Sequence, residues 1–412
     1  MKLLIISQYF WPENFRINDL AKALVERGHE VTILTGKPNY PTGTFFSGYG
    51  FLKPREEQHD GVTIKRVPLI PRGHSSALRL IFNYLSFVFF ASLLAPFRCR
   101  DNYDLIFVYE PSPITVALPA IAMRQLKSIP MLLWVQDLWP ESLSATGAIT
   151  SPRIIAMVRW MVRFIYQRCD GILVQSRGFI EPTIASGAKH EQIRYFPNWA
   201  EDLYRPDKQG ATAVQITDMP QHGFTILFAG NLGAAQSLET IIDAADHTRS
   251  ENVHWVILGD GRMSAWMKEQ IQQRDLEQYV HMLGRKPVES MPQYFTLADA
   301  LLVTLRPDPI FSRTIPSKVQ SYLACGRPII AALDGEGARI VRDSAAGVVV
   351  DAGDADALAK AVVALKATSV DERRQMGQCG RAYFESNFES EMLISQLERW
   401  MEEMIEDGQC AS

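Results

Sequence analysis

Short apolar runs, many of them rich in β-branched residues, alternate with stretches of helical spacing along the whole chain. Arg16 to Arg27 separates the first two runs and ends at Gly28-His29, which is the pattern of a βαβ unit. Such runs are typical of buried parallel strands, so the pattern predicts two doubly wound α/β domains. The predicted strands are Leu3 to Ser7, Val31 to Thr35, Leu105 to Tyr109, Met131 to Val135, Gly171 to Gln175, Thr225 to Ala229, Val253 to Leu258, Ala300 to Thr304, Pro328 to Ala332 and Gly347 to Val350.

Residues 197–223 interrupt this alternation, with Asn198, Pro206, Gly210 and Pro220 but little periodicity. This composition is typical of a linker between domains. Near the end of the chain, Glu391 to Ile405 places apolar residues on one helical face. We predict a first domain over 1–197, a linker over 198–223, a second domain over 224–385, and a C-terminal segment over 386–412 whose helix crosses back to the first domain.

The bulk composition narrows the class of protein. A chain of 412 residues exceeds one ordinary core, and 47% hydrophobic with 21% charged residues is usual for a soluble globular protein. The net charge of -4 gives no reason to expect a nucleic-acid partner. Five widely spaced cysteines without a Cys-x-x-Cys pair predict neither a zinc site nor disulfides. The apolar part of Met1 to Ser7 is too short for a signal peptide, so we expect a cytoplasmic protein.

The segment that begins at Pro316 links this pattern to chemistry. Pro316 suits the first turn of a helix, Ser317 can satisfy a free amide there, and Gly326 is a helix stop. Lys318 is therefore expected on the first turn. A cation beside free backbone N–H groups and the positive end of a helix dipole is suited to bind a phosphate.

Further loops are expected at the same edge of the second sheet. Gly230-Asn231-Leu232-Gly233 and Gly259-Asp260-Gly261 end neighbouring strands, and Leu283-Gly284-Arg285 follows. Doubly wound sheets bind ligands at this edge, although each loop alone also suits an ordinary turn and Asp260 a helix cap. Their convergence predicts a phosphate site whose candidates are Gly230, Asn231, Gly233, Gly259, Asp260, Gly261, Gly284, Arg285, Pro316, Ser317 and Lys318.

In combination these motifs resemble the retaining family 4 glycosyltransferases of GT-B fold. Within that family the chain is most similar to bacterial enzymes that add an amino sugar, such as N-acetylfucosamine, during O-antigen or capsule synthesis. The resemblance extends over nearly the whole chain. Besides the loops above, it is carried by Arg27-Gly28-His29-Glu30-Val31, Asp137-Leu138-Trp139-Pro140-Glu141-Ser142, Tyr322-Leu323-Ala324-Cys325-Gly326-Arg327-Pro328 and Gly353-Asp354-Ala355-Asp356-Ala357-Leu358-Ala359.

The resemblance implies two Rossmann-like domains facing across a cleft, with a UDP-sugar bound by the second and the acceptor by the first. The leaving diphosphate would be stabilised by the loop amides and by Lys318. No cofactor and no metal are expected. Asp354-Ala355-Asp356 spells an Asp-x-Asp string, but it begins a helix, so N-capping is the favoured role.

The chain departs from the family pattern at several positions. Arg313 and Ser321 occupy the ends of a nine-residue span where the family has glutamates, which puts the contacts to the donor sugar and ribose in doubt. Asn231 and Gln236 replace the usual Arg/Lys pair near the phosphate loop, so Lys318 is the clearest catalytic cation.

The first domain offers candidate acceptor residues after two strands. Asp137 follows Gln136, which replaces the family's usual histidine, and Asp137 is expected to be catalytic; holding a turn is the alternative. Glu13, Asn14 and Arg16 follow the first strand and suit an acceptor-binding loop. The alternative there is helix capping by Asn14 and a solvated Arg16.

Two segments of the first domain suggest a membrane surface. Leu80 to Phe97 is almost wholly apolar, and Arg153 to Arg168 mixes arginines with apolar and aromatic side chains. Helices of this kind suit an anionic bilayer interface, although two ordinary core helices are the alternative. The residues concerned are Arg72, Arg79, Arg98 and Arg100 around the first segment, and Arg153, Arg159, Arg163, Arg168, Ile154, Ile155, Met157, Trp160, Met161, Phe164 and Ile165 in the second.

The sequence thus predicts a retaining glycosyltransferase, bound peripherally to the inner face of the cytoplasmic membrane. It would move a sugar from a UDP-sugar to a polyprenyl-diphosphate-linked acceptor for O-antigen or capsule synthesis. A nucleotide-sugar epimerase and a non-catalytic, membrane-bound sugar-nucleotide binder are the alternatives. A nicotinamide-dependent dehydrogenase is disfavoured, because Gln8-Tyr9-Phe10-Trp11-Pro12 lacks the glycine-rich first turn.

Overall fold

The computed structural model describes residues 1–73, 77–145, 151–206 and 216–410. It divides into two compact units, Met1–Pro197 with Glu391–Ser412, and Asn198–Ser390. Part of the predicted linker, residues 207–215 including Gly210, lies outside the described residues. The rest of the predicted linker groups with the second unit.

The first unit contains an eight-stranded sheet of order β3-β4-β2-β1-β5-β6-β7-β8. All neighbours are parallel except β3 and β4, so the carboxyl ends of the other strands meet at one edge. The strands are β1 (Lys2–Ile6), β2 (Glu30–Thr35), β3 (Glu56–His59), β4 (Val62–Arg66), β5 (Leu105–Glu110), β6 (Met131–Val135), β7 (Gly171–Val174) and β8 (Ile193–Tyr195).

The helices of the first unit form by burying one apolar stripe each against this sheet. On one face of the sheet, α2, α3 and α5 pack on a core that contains Phe87, Ile121, Val162 and buried residues of β5 to β7. The helices are α1 (Arg16–Glu26), α2 (Ala77–Arg98), α3 (Ala117–Lys127), α4 (Glu141–Ala145), α5 (Pro152–Tyr166) and α6 (Ile180–Ala185).

The second unit contains a six-stranded, all-parallel sheet of order β11-β10-β9-β12-β13-β14. Its strands are β9 (Phe224–Ala229), β10 (Val253–Leu258), β11 (Val280–Gly284), β12 (Ala300–Thr304), β13 (Ile329–Ala332) and β14 (Gly347–Val350). Its helices are α7 (Leu238–His247), α8 (Ser264–Gln273), α9 (Met291–Leu297), α10 (Pro309–Arg313), α11 (Ser317–Cys325), α12 (Gly335–Asp343), α13 (Ala355–Ala367) and α14 (Val370–Asn387).

The last helix, α15 (Ser390–Cys410), packs on the first unit. Leu397 and Met401 are fully buried on its inner face. Arg27, which follows α1, donates to Glu398 at 2.6 Å and also pairs with Glu391, while His29 lies 2.7 Å from Glu398. Apolar burial and this ion-pair network together fix the helix against the sheet.

The predicted strands are confirmed, with each end within one residue of its expected position. Four strands were missed: β3, β4, β8 and β11. β3 is a polar edge strand and β8 has three residues, so neither carries an apolar run. β4 alternates buried and half-buried positions, a period-two signal that was present in the sequence.

Candidate functional site

Lys318 is the second residue of α11, as predicted, but the helix start differs from expectation. Pro316 is the N-cap residue, at φ -63 and ψ 130, rather than part of the first turn. Ser317 makes no capping hydrogen bond, so its predicted capping role is wrong. Gly326 ends the helix at φ 65, in the left-handed conformation that glycine adopts without strain.

The side chain of Lys318 is half-buried, and its ammonium group packs against other side chains of the unit. It lies 3.6 Å from the centroid of the Phe228 ring and donates to the side-chain carbonyl of Gln236. Burial lowers the pKa of Lys318 to about 7. Within the described ranges it has no carboxylate partner. A bound anion would therefore restore a charge that burial disfavours.

Gly230 is required for this arrangement. Its φ is 147, and a Cβ there would lie 2.6 Å from Cε of Lys318. A Cβ at Gly259 would lie 1.8 Å from the Gly230 carbonyl oxygen, and one at Gly261 would lie 2.4 Å from that of Leu232. The two glycine loops are thus in close contact beside Lys318. A larger residue at any of these three glycine positions would clash with its neighbours.

The backbone amides of this loop are only partly free. The amide of Gly230 donates to Leu258 at 2.9 Å and that of Leu232 to Asp260 at 2.9 Å. These two amides are consumed in joining the loops, which corrects the prediction that the whole loop faces a phosphate. Among the described residues, the amides of Asn231 and Gly233 have no backbone acceptor.

Asp260 holds the second glycine loop in shape. Its carboxylate accepts from the amide of Gly261 at 2.7 Å and from the hydroxyl of Ser264 at 2.6 Å. The bond from Ser264, followed by that from Gly261, keeps the pKa of Asp260 below its usual value. The N-cap of α8 is Met263, so the alternative reading of Asp260 as the helix cap is wrong. Its charge remains at the site.

A cavity of about 620 Å³ opens at this edge of the sheet. Five of the predicted donor residues line it: Gly230, Asn231, Gly259, Asp260 and Arg285. Six other predicted donor residues do not line it: Gly233, Gly261, Gly284, Pro316, Ser317 and Lys318. Two of these still lie next to lining residues. Lys318 lies beside Gly230, and the Gly284 carbonyl accepts from the Gly259 amide at 2.9 Å.

The same cavity is lined by residues that the sequence analysis missed. Lys286 donates to Asp218 at 2.6 Å, and the hydroxyl of Tyr294 donates to Asp218 at 3.1 Å. Glu289 also lines the cavity, with Pro287, Val288 and Met291. The basic pair Arg285-Lys286 directly after a strand was the available signal.

Arg313 and Ser321, which replace the family glutamates, lie on adjacent helices. Arg313 is the last residue of α10, whose start is capped by Asp308 through the Ile310 amide at 2.8 Å. Ser321 is buried on α11. Asp354 caps α13 by accepting from the Ala357 amide at 2.8 Å, which confirms the capping role of the Asp-x-Asp string. In the described part of the chain, no group of three His, Cys, Asp or Glu residues could hold a metal ion.

Asp137 lies at the carboxyl edge of the first sheet, beside a second carboxyl group. Burial raises the pKa of Asp137 to about 6, against hydrogen bonds from Ser142, Leu138 and Trp139. Gln136 follows β6, and its amide donates to the carbonyl of Glu110 at 3.0 Å. The carboxyl of Glu110 is fully buried, and burial, then the charge of Asp137, raises its pKa well above the usual value. Glu110 was missed because it ends an apolar strand.

Glu13 is a structural support rather than an open acceptor contact. Its buried carboxylate accepts from the amides of Asn39 and Tyr40, each at 2.7 Å, and burial raises its pKa to about 7. Asn14 is exposed and does not cap α1, whose N-cap is Phe15, so the capping alternative is wrong.

Arg16 is paired with Asp19 at 2.9 Å, so the solvated alternative is also wrong. An aromatic group lies nearby that the sequence analysis missed. The Tyr9 and Phe15 rings stack at 4.9 Å, and the guanidinium of Arg72 lies 4.9 Å from the centroid of Tyr40. Aromatic faces of this kind suit the apolar faces of sugar rings.

The outer face of α2 is strongly apolar and exposed. By length and composition only, Leu78–Arg98 could cross a membrane. In the unit, 22% of its most apolar stretch is buried. Phe89 is 61% exposed, while Phe87 and Ala91 on the inner face are fully buried. Other exposed apolar side chains of α2 are Leu78, Ile81, Phe82, Leu85, Leu93 and Phe97.

On α5, Trp160 is 66% exposed and Met157 is 62% exposed. Ile165 is fully buried, and Met161 and Phe164 pack on the core, so these three predicted interface residues face inward. Both α2 and α5 pack against α3 on the same face of the sheet. The exposed apolar side chains therefore lie on one side of the first unit.

Comparison with known proteins matches both units. The family described as "Glycosyl transferase 4-like domain" matches residues 14–199, and "Glycosyl transferases group 1" matches residues 223–367. WcaI of Escherichia coli K12, named as a colanic acid biosynthesis glycosyl transferase, is 25% identical over 337 residues, covering 79% of this chain and 82% of WcaI. WbjE of Pseudomonas aeruginosa, named as a glycosyltransferase, is 24% identical and covers 65% of each chain.

Solved structures share the fold at low sequence identity. Sucrose-phosphate synthase from Thermosynechococcus elongatus superposes with a TM-score of 0.74 at 18% identity, over 98% of this chain and 99% of that one. Anabaena HepE in complex with UDP-glucose gives a TM-score of 0.67 at 17% identity, over 98% of this chain and 100% of that one. These matches show the fold, which in this chain consists of two α/β units, each with a largely parallel sheet.

Proposed function

Since the chain is a GT-B glycosyltransferase, built from a glycosyl transferase 4-like domain and a group 1 domain, we propose that it transfers a sugar from a UDP-sugar to a lipid-linked saccharide. The acceptor is a polyprenyl-diphosphate-linked sugar, and the product retains the anomeric configuration of the donor. An N-acetylated amino sugar such as N-acetylfucosamine is the proposed donor class.

The observation that carries the proposal is the half-buried ammonium of Lys318 beside the Gly230 loop, which has no carboxylate partner among the described residues. Transfer breaks the bond between the anomeric carbon and a diphosphate oxygen, which gains negative charge as the sugar leaves. Lys318, the amides of Asn231 and Gly233 and the start of α11 are preorganised donors for that charge. HepE, a structure of the same fold, is recorded with UDP and with UDP-glucose, which supports the choice of nucleotide.

Asp137 is proposed to orient the acceptor hydroxyl. With a pKa raised to about 6, its carboxylate is ionised at neutral pH yet basic enough to share the hydroxyl proton. As the new glycosidic bond forms, that proton passes from the acceptor oxygen to Asp137, while the bond between the anomeric carbon and the diphosphate oxygen breaks. Tyr40, which is 38% exposed beside the buried Tyr9 ring, lies at the same sheet edge and is proposed to contact acceptor sugar rings.

The biological setting is proposed from the relatives. WcaI is named for colanic acid biosynthesis, and AmsK of Erwinia amylovora, 25% identical over 243 residues, is named for amylovoran biosynthesis. Both names refer to the making of a polysaccharide. We assign this chain to polysaccharide synthesis of the O-antigen or capsule type.

A membrane-surface location follows from the acceptor and from α2. Exposed phenylalanine and leucine side chains on one side of the unit, with Trp160 of α5 on the same side, suit shallow insertion into a bilayer interface. The unit would then bind peripherally at the inner face of the cytoplasmic membrane, where a lipid-linked acceptor is present.

The test is a transfer assay on vesicles that carry polyprenyl-diphosphate-linked N-acetylglucosamine. Panels of UDP-, GDP- and dTDP-sugars are supplied, and the anomeric configuration of the product is read by NMR. Transfer of one UDP-sugar with retained configuration is expected. An inverted product would overturn the retaining assignment, and transfer only from GDP- or dTDP-sugars would overturn the UDP assignment.

A further inference from the structure

A group of cations in the first unit lacks counter-ions. Lys37 is the second residue after β2, and only 1% of its surface is exposed. Its ammonium nitrogen is buried without a hydrogen-bond partner among the described residues. Arg98, at the end of α2, also has a buried Nη1 without a partner. A buried, unpaired cation is costly, so such a pair indicates a missing anion.

The carboxylates close to these cations are already engaged. Glu57 accepts from the guanidinium of Arg66 and from the hydroxyl of Tyr49. Arg66 also donates to the carbonyl of Gly36 at 2.9 Å, which places this satisfied ion pair directly beside Lys37. Glu57 thus balances Arg66 and leaves Lys37 uncompensated.

The neighbouring carboxylate is occupied in the same way. Glu56 pairs with Lys65 at 2.6 Å, on the opposite face of β3 from Glu57. Arg55, which precedes Glu56, is exposed and has no ion pair in the described part of the chain. Arg66 links these positions, because its amide donates to the Arg55 carbonyl at 2.9 Å and its guanidinium donates to the carbonyl of Gly36, the neighbour of Lys37.

The electrostatics of Lys37 agree with this proximity. Burial, together with the charges of Arg66, Arg98 and Arg55, lowers the pKa of Lys37 to about 8, while Glu57 acts in the opposite direction. Several positive charges thus act on the buried ammonium nitrogen of Lys37. Without an anion, their mutual repulsion opposes the charged form of Lys37.

An apolar surface borders this cation group, which consists of Lys37, Arg55 and Arg98. Phe51 and Leu52 are exposed shortly before Arg55, and the Phe51 ring lies 5.6 Å from that of Phe90 on α2. Phe97, next to Arg98, is exposed as well. A ligand with an anionic head and an apolar chain would match both surfaces.

We propose that Lys37, Arg55 and Arg98 form a binding site for the phosphoryl head of a lipid, whose apolar chain lies along the outer face of α2. This site deepens the proposed function and rests on its membrane-surface part. A bilayer phospholipid and the diphosphate of a lipid-linked acceptor share this chemistry, and free phosphate shares the head alone. The site lies within the first unit and is separate from the Lys318 site.

Soluble short-chain lipids test the site without a membrane. Dihexanoyl phosphatidylglycerol, below its micelle concentration, is titrated into the wild type, Lys37→Met, Arg98→Met and the control Arg374→Met, which removes an exposed charge of the second unit. We expect binding to weaken about tenfold or more in the first two variants, because a charge-assisted contact is lost, and to be unchanged in the control. Unchanged binding in Lys37→Met, or an equal loss in Arg374→Met, would overturn the site.

Two further arms separate the sources of the phosphate. Inorganic pyrophosphate is titrated in parallel, and weaker binding than the lipid is expected because it lacks the apolar chain. Equal affinity would overturn the lipid part of the proposal. Sedimentation with phosphatidylglycerol vesicles tests membrane association itself. If the wild type binds the soluble lipid but no vesicles, the membrane location is refuted and the lipid site is supported.

Thermal unfolding without ligand provides a check that is independent of binding. Because Lys37 is a buried, unpaired cation, Lys37→Met is expected to unfold at the same or a higher temperature than the wild type. A marked decrease would show that the ammonium is paired in the free protein, which would overturn the proposal. The same measurement establishes that the variant is folded.

Discussion

The ammonium of Lys318 lies 3.6 Å from the centroid of the Phe228 ring. An aromatic face stabilises a cation that has been removed from water, but it offers no charge to neutralise it. The result is a partly desolvated lysine at the beginning of a helix, beside a glycine loop. This relationship is the basis of the first predictions.

Replacing Lys318 with alanine should weaken UDP binding by at least about tenfold, since a buried charge-assisted contact to phosphate is lost. Isothermal titration with UDP measures the effect. Lys268→Ala, an exposed lysine of α8, is the matched control and should bind as the wild type does. Equal affinity of Lys318→Ala and wild type would contradict the assignment.

The stability of the free protein should rise with pH through the titration of Lys318. Its pKa is about 7 in the folded state and near 10.5 when unfolded, so the unfolded chain binds more protons between these values. Stability is therefore lowest below pH 7 and increases up to about pH 10.5. Urea unfolding of wild type and Lys318→Met across this range isolates the contribution, because the variant should lack it.

Replacing Gly230 with alanine should abolish UDP binding at least as fully as loss of Lys318. The added Cβ would lie 2.6 Å from Cε of Lys318 in a conformation, φ 147, that disfavours side chains. Gly50→Ala is the control, because a Cβ there meets nothing within 4 Å. Normal binding by Gly230→Ala would show that the loop is not the phosphate site.

Asp137 should impose a pH dependence on transfer. Its pKa is raised from 3.8 to about 6, so the active carboxylate forms as the pH rises through 6, and activity should rise with it. The same shift means that Asp137 costs stability as pH rises from about 4 to 6, since the folded state binds the extra proton. Asp137→Asn should lose the activity step and that stability change together, and a preserved activity step would exclude the role.

Membrane association should depend on the exposed face of α2. Replacing Leu85 and Phe89 with serine removes two exposed apolar side chains and should weaken binding to anionic vesicles by about tenfold or more. Val370→Ser, an equally exposed apolar residue of the second unit, is the control. Replacing Arg159 and Arg163 with glutamate should release the protein further, and persistent flotation of these variants would contradict the interface.

Much of the fold was readable from the chain because apolar runs and helix stops are local signals. Ten strands of the two sheets and the end of the helix at Gly326 were predicted correctly. Strands without an apolar run gave no such signal. The polar strand β3, for example, is defined by its pairing with β4 and not by side-chain burial. The helix faces were only partly predicted, because Ile165 of α5 turned out to be buried.

The sequence by itself determined which loops reach one sheet edge, because parallel strands bring their carboxyl ends together whatever the details. Only the tertiary structure decided which groups remain free there. It showed that the Gly230 amide is used in a loop contact and that Glu13 holds backbone amides. It also showed that, among the described residues, half-buried Lys318 and buried Lys37 have no carboxylate partner. Hydrogen-bond partners and burial depend on residues far apart in the chain, so no local pattern specifies them.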